Sequence, residues 1–366
     1  MTFRKIDYLE WARAYMGRVK FDLAKSNIKA VTKEELGLTL DQIHLTAPDE
    51  DGIVELRALI AKRYGVPPSG VLVTSGAPMA ILLAGAAVVD EGDPVLIETP
   101  NYEPLYRACQ QRRAEIKMLD RRFERGWQIE LEELERKISR STRAILLTNL
   151  HNPTGVATNP EKLQSIGQIA RDHGATVIVS EVYLDNAFTP GLKPAAVLGP
   201  NMVSIGSLSK VFGLGGLRIG WIVGPEAVLK KARLALDYVE CDLPAPSESI
   251  AAAAMRKAPE LIERCRAISS RNFKIVAEWI ARRNDLKWVE PDGGTVGLVK
   301  LPAGIDAMEL ATLLREKFST LVVPGDFFWI KGFIRISCGM DEEILRQGLK
   351  NVGKGIDQLK KAGGSA

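Results

Sequence analysis

Lys210 follows two small hydroxyl residues in Ser207-Leu-Ser-Lys210 and stands eight positions before Arg218, with Gly213, Gly215 and Gly216 between them. A lysine that is to bond an aldehyde as an imine must shed its proton, and a short, crowded loop that strips water from the ammonium favours the neutral amine. Glycines let the backbone approach a ligand closely, and an arginine presents a planar fork to a phosphate. The stretch reads as the anchor of a phosphorylated aldehyde cofactor, whereas Lys210 without these neighbours would be an ordinary surface lysine. Thr74-Ser-Gly-Ala-Pro-Met-Ala80 offers a second anion site. It is a strand-to-helix turn that sets the backbone of Gly76 and Ala77 at a helix N-terminus, where the dipole favours negative charge. Pro78 has no N–H, so this loop has one donor fewer.

The elements that must hold these residues are legible as short apolar, β-branched runs: Val71-Leu-Val-Thr, Val95-Leu-Ile-Glu, Ala144-Ile-Leu-Leu-Thr, Thr176-Val-Ile-Val-Ser, Met202-Val-Ser-Ile and Ile219-Gly-Trp-Ile-Val. Near-continuous runs suit strands buried on both faces of a mainly parallel sheet. Between them, Leu131 to Ile138 and Glu161 to His173 have helical spacing, and Asn159-Pro160 supplies a cap followed by a first-turn proline. An α/β/α large domain follows over residues 41–245. Beyond it the order changes to a long helical region, a strand pair over Trp288 to Leu301 turning at Gly293-Gly294, a helix, strands at Leu321-Val-Val and Phe333-Ile-Arg-Ile-Ser, and a terminal helix. That order predicts a smaller α+β domain over residues 246–366, with residues 1–40 packing against it and a frayed Gly363-Gly-Ser-Ala tail.

Composition narrows the class. A chain of 366 residues, 46% hydrophobic and 26% charged, is too long for one ordinary core and predicts two domains. The net charge of +4 is spread over short basic runs interrupted by acids, a solvated surface and not a nucleic-acid stripe. Four cysteines far apart, without Cys-x-x-Cys spacing, and only three histidines leave a metal site little to work with and fit reduced thiols in a cytoplasm. The N-terminus carries charges where a signal peptide needs an apolar run, and the longest apolar stretch, near Ile81 to Val89, is too short to span a bilayer. The expectation is a cytoplasmic protein with no membrane partner.

The lysine loop resembles the signature of class I/II aminotransferases, the fold type I enzymes that use pyridoxal 5′-phosphate. Thr74 to Ala80, Pro100-Asn-Tyr102, His151-Asn-Pro-Thr-Gly155, Ser180-Glu-Val-Tyr183, Pro291-Asp-Gly-Gly294 and Arg335-Ile-Ser-Cys338 occur in the family's order and approximate spacing over roughly residues 45 to 340. The resemblance implies that Lys210 bonds the cofactor and moves the proton between the substrate α-carbon and the cofactor C4′. It gives the phosphate to Ser207, Arg218, Gly76 and Ala77, and the pyridine face to Tyr102. The cofactor 3′-oxygen goes to Asn152 and Tyr183, and the substrate α-carboxylate to Arg335, with Asn152 beside it and Asn27 as a further donor. His151 is read as structural. A homodimer that completes its active site across a two-fold interface, acting on an amino acid and a 2-oxo acid, is likewise implied.

Two positions depart from that pattern. The family has an aspartate three residues before the tyrosine of Ser180-Glu-Val-Tyr183, where it keeps the pyridine nitrogen protonated; here the position is Ser180. A serine can hydrogen-bond the nitrogen but cannot pair with a pyridinium, so the electron sink is weakened. Adjacent side chains on a strand face opposite ways, so Glu181 could substitute only through a bulge. A slow or redirected enzyme, an altered sequence and a register slip are the three explanations. The family's phosphate-binding tyrosine from the neighbouring subunit is also missing before Gly52-Ile-Val-Glu-Leu-Arg57, with Thr46 or His44 as stand-ins. The leading expectation is amino-group transfer by a ping-pong route. Its rivals are elimination, decarboxylation or cyclisation on the same fold, and a weakly catalytic protein that binds the cofactor.

Overall fold

The structure, a computed structural model, describes residues 4–48 and 53–363. Asp49 to Gly52, which end at the first residue of the Gly52 to Arg57 segment, and the last three residues of the tail lie outside the described residues. The first elements are α1 (Asp7–Tyr15), the short strand β1 (Phe21–Asp22), α2 (Lys33–Leu36), α3 (Val54–Tyr64), β2 (Val71–Thr74) and α4 (Ala77–Val88). There follow β3 (Pro94–Thr99), β4 (Glu115–Asp120), β5 (Ala144–Thr148), β6 (Thr176–Ser180), β7 (Met202–Ser207) and β8 (Gly220–Val223). Together β2 to β8 form a seven-stranded sheet in the order β2-β8-β7-β6-β5-β3-β4. Only β8 runs against its neighbours. The fold is the mainly parallel α/β architecture that the apolar runs predict.

Alternation along each strand builds two cores, one on either face of this sheet. Val95, Ile97, Leu146, Ile178 and Ile205 pack against the Ala- and Leu-rich α4. Leu96, Ile145, Leu147, Val177 and Val179 pack against the helices Leu131–Lys137 and Pro160–Asp172. In the second of these helices Asn159 Oδ1 accepts from the Lys162 amide and Pro160 follows the cap, as the sequence predicts. The sequence reading missed β4. It is an edge strand whose Glu115, Ile116, Lys117 and Met118 alternate between exposed and half-buried, so it lacks the continuous apolar run of its neighbours.

The C-terminal part holds β9 (Lys287–Trp288), β10 (Val296–Lys300), β11 (Thr320–Leu321), β12 (Val323–Pro324) and β13 (Phe333–Ser337). Strands β12-β13-β10-β9 form an antiparallel sheet, while β11 leaves it to pair in parallel with β1. The strand expected at Leu321-Val-Val is therefore two short ones serving different sheets. From α1, Tyr8 and Trp11 pack into a cluster with Leu321, Val323 and Phe328. Among the described residues no helix is long and apolar enough to cross a membrane.

What this arrangement contributes to function is a row of carboxyl-terminal strand ends. Thr148, Ser180 and Ser207 close β5, β6 and β7, with Thr148 opposite Ser180 in register. Open α/β sheets bind ligands just beyond such ends. The buried Glu98 on β3 ties the row together, accepting from Arg121 Nε at 2.7 Å and from Thr148 Oγ1 at 2.6 Å.

Candidate active site

A cavity of about 510 Å³ opens beyond those strand ends and is lined by Lys210, Ser207, Arg218, Tyr102, Asn152, Ser180, Tyr183, Ala77 and Asn27. Nine of the eleven residues expected at the site thus share one cavity. Of the other two, Gly76 caps α4 directly beneath it, and Arg335 stands one layer behind, against Asn152.

Lys210 Nζ donates to Ser26 Oγ at 2.9 Å and to Asn27 Oδ1 at 2.8 Å. Both acceptors are neutral. Burial first, then the charges of Arg335 and Arg218, lower its pKa from 10.5 to about 7. The loop that carries Lys210 is held by the segment before α2: the Ile28 amide donates to the Lys210 carbonyl at 3.1 Å and the Val31 amide to the Gly213 carbonyl at 3.4 Å. Gly213, at φ +67°, is needed for this approach, because a Cβ there would come within 2.8 Å of the Lys29 carbonyl oxygen.

At the other end of the cavity Arg218 holds left-handed backbone (φ 55°) and donates to the Gly215 carbonyl at 3.1 Å and to Ser209 Oγ at 3.4 Å. Gly76, at φ +89°, lets the turn into α4 lie against it; a Cβ on Gly76 would meet the guanidinium at 2.3 Å. The guanidinium, the first amides of α4 and the hydroxyls of Ser207 and Ser209 converge as an anion cradle.

Ser180 faces the cavity, and Glu181 faces away from it. The Glu181 amide donates to the Ile205 carbonyl at 2.8 Å and the Asn149 amide to the Ser180 carbonyl at 3.0 Å, so sheet pairing runs through this point without a bulge. Glu181 Oε1 accepts from the Ala195 amide at 2.8 Å on the far side of the strand, and burial with a smaller push from Asp185 raises its pKa to about 8. The register slip that would bring an acid to the ring position is therefore absent, and no carboxylate lines the cavity among the described residues.

Arg335, at 1% exposure, is the most deeply buried cation at the site. Its guanidinium donates to Asn152 Oδ1 at 3.1 Å, to Tyr8 OH at 2.9 Å and to the Ala24 carbonyl at 3.0 Å. That uses three of its five N–H groups, and among the described residues no Asp or Glu pairs with it. A buried charge without a counter-ion is costly, so the guanidinium can take an anion that reaches it past Asn152 and Tyr8. With Asn152 Oδ1 so occupied, its amide nitrogen remains to donate into the cavity. Asn27 meets Lys210 and not Arg335.

Tyr102, just ahead of the helix Glu103–Gln111, and Tyr183 line the cavity as neutral phenols, their pKa values raised chiefly by burial. His151 is fully buried with Nδ1 on Thr154 Oγ1 at 2.7 Å and Nε2 on the Pro100 carbonyl at 2.8 Å; burial drives its pKa well below the usual value, which leaves it a neutral structural link. His44 and Thr46 are exposed and do not line the cavity. The sequence reading missed Tyr8, Ser26, Thr148 and Ser209. Ser209 lay inside the lysine motif, but nothing local marks Tyr8 or Ser26, which reach their partners across 327 and 184 residues.

A family model described as aminotransferase class I and II matches residues 16–352. The chain is 25% identical over 332 residues to an aspartate aminotransferase of Streptomyces avermitilis, covering 84% of this chain and 81% of that one. It is 28% identical over 353 residues to a capreomycidine synthase of Streptomyces vinaceus, covering 93% and 90%. A crystal structure of a PLP-dependent aminotransferase from Streptococcus suis superposes with a TM-score of 0.92 at 26% identity, covering 98% of this chain and 99% of that one.

Proposed function

The chain belongs to the class I and II aminotransferases, and from that membership we propose that Lys210, Arg218 and Arg335 divide between them the aldehyde, the phosphate and the substrate carboxylate of a transamination. The protein is a pyridoxal 5′-phosphate enzyme that moves an amino group from an L-amino acid to a 2-oxo acid. The observation that carries the assignment of roles is the set of three cations around one cavity, none of them paired with a carboxylate among the described residues.

The residues fit the cofactor at three points. Arg218, Ser207 and the α4 amides make the phosphate cradle whose glycine floor admits no Cβ; Lys210 presents a readily neutral amine; and the Asn152 amide suits the 3′-oxygen, with the Tyr183 hydroxyl, which here donates to the Ser26 carbonyl at 3.4 Å, in the same lining. At the fourth point, the ring nitrogen, Ser180 supplies a hydroxyl in place of an acid. When bound, the cofactor supplies the electron sink that lets a bond to the substrate α-carbon break. Arg335 holds the α-carboxylate and so fixes which bond faces Lys210. Lys210, as a neutral amine, would take the proton from the substrate α-carbon and carry it as the acid–base group of the site. Tyr102 walls the ring and excludes water.

We read the chain as a homodimer in the cytoplasm, with residues 41–245 as the cofactor-binding domain, residues 246–366 as the smaller one and residues 1–40 as a segment packing with it. The dimer is what the resemblance to the family implies, and a light-scattering mass near twice 40.1 kDa checks it. Incubating the holoenzyme with a panel of amino acids while following the cofactor spectrum tests the function. Conversion to the pyridoxamine form with release of keto acid is expected. Keto acid with ammonia would mean elimination, and an unchanged spectrum with every amino acid would overturn amino transfer.

Ser180→Asp is expected to raise the half-reaction rate at least about tenfold, since each factor of ten needs only about 1.4 kcal/mol of barrier and a charge-assisted contact at the ring nitrogen supplies that much. Glu181→Gln should change the rate little, because its carboxyl faces the other side of the strand. A fall in the first variant together with a large loss in the second would refute the placement of Ser180.

A further inference from the structure

One wall of the cavity is built by α1 and the segment that follows it. Tyr8 and Trp11 are buried in the cluster with Phe328; Leu9 and Ala12, and Met16 just past the end of the helix, pack against the same cluster, stay half-buried and line the cavity. Ile28 and Ala30 continue the same surface. The charged residues of this helix, Asp7, Glu10 and Arg13, are exposed and absent from the cavity lining. A substrate held by its carboxylate at Arg335, with its α-carbon toward Lys210, would share the cavity with this wall.

We propose that this enzyme takes L-amino acids with apolar side chains, aliphatic, thioether or aromatic, and that the α1 face of Leu9, Ala12 and Met16 sets the preference. The inference rests on the amino-transfer reading above. Among this chain's described lining residues a cationic side chain finds no carboxylate and meets Lys25, Lys210 and Arg218 instead, all of its own sign. An acidic side chain has only Lys25 in addition to the cations already committed. That lysine is 58% exposed and lies 3.8 Å from Asp22 Oδ2, so its charge is screened by water and partly matched within the protein. Apolar surface on the substrate, by contrast, removes apolar surface of Leu9 and Met16 from water.

Three measurements decide this. Half-reaction kcat/KM values for leucine, methionine and phenylalanine should exceed those for aspartate and arginine at least about tenfold, the discrimination that one or two methylene groups in an apolar pocket provide. In Met16→Glu, and independently in Leu9→Glu should Met16→Glu fold poorly, the ratio of arginine to leucine should rise at least about tenfold with cofactor occupancy unchanged. Competitive binding of 4-methylpentanoate against succinate, neither of which can react, reads the same wall without turnover, and 4-methylpentanoate should bind more tightly. A preference for aspartate or arginine, or tighter binding of succinate, overturns the proposal. If no amino acid alters the cofactor spectrum but 4-methylpentanoate still binds more tightly, the amino-transfer reading fails while the apolar side-chain site stands.

Discussion

Lys210→Ala lowers amino transfer by at least about 10²–10⁴-fold, the contribution of a positioned general acid–base group, and loses the covalent anchor of the cofactor as well. Borohydride reduction of the wild type followed by peptide mapping should place a pyridoxyl adduct on Lys210, and on no lysine in the variant. An adduct elsewhere, or wild-type turnover without Lys210, would end the assignment. The same residue gives the apoprotein a pH signature. Its folded pKa of about 7 lies below the ordinary 10.5, so between those values the unfolded chain holds a proton that the folded chain does not. Stability of the wild-type apoprotein therefore rises with pH across that window through this group. Lys210→Ala removes the contribution: the variant should gain most in melting temperature over the wild type below pH 7, with the gain shrinking toward zero as pH approaches 10.5. A difference that is flat with pH would show that Lys210 is not desolvated in the cavity.

Arg335→Ala should weaken binding of the amino acid by an amount corresponding to about 2–5 kcal/mol, the cost of truncating one partner of a buried hydrogen-bonded charge pair. Because Arg335 reaches the cavity past Asn152 and Tyr8 and lies away from the phosphate cradle, cofactor occupancy should stay unchanged. The loss should appear in KM and in the binding of unreactive carboxylates, with Arg335→Lys recovering part of the charge but not the fork. An unaltered KM for every usable substrate, or loss of the cofactor itself, would refute this role. Tyr8→Phe offers a graded control: it removes one acceptor from the guanidinium at 2.9 Å while keeping the ring, so a smaller KM change in the same direction is expected.

The sequence by itself determined the sheet and most of the chemistry at its edge. Strands such as Thr176–Ser180 declare themselves because burial on both faces demands an unbroken apolar run, and β4 escaped because an edge strand faces no such demand. Lys210, Ser207 and Arg218 lie within twelve residues of one another, so their shared loop was readable from spacing. The opposition of Ser180 and Glu181 was implied by the two-residue alternation of strands, but whether a bulge intervened could be decided only by the hydrogen bonds of Glu181 and Ser180 to β7 and to Asn149. Tertiary structure alone brought Tyr8 of α1 onto Arg335 and Ser26 onto Lys210, and turned the half-apolar α1 toward the cavity. Periodicity and propensity act over a few residues, whereas these contacts close loops of hundreds. Which distant surfaces meet is settled by how the α1 cluster packs against Leu321, Val323 and Phe328, a property of the assembled core that no local stretch encodes.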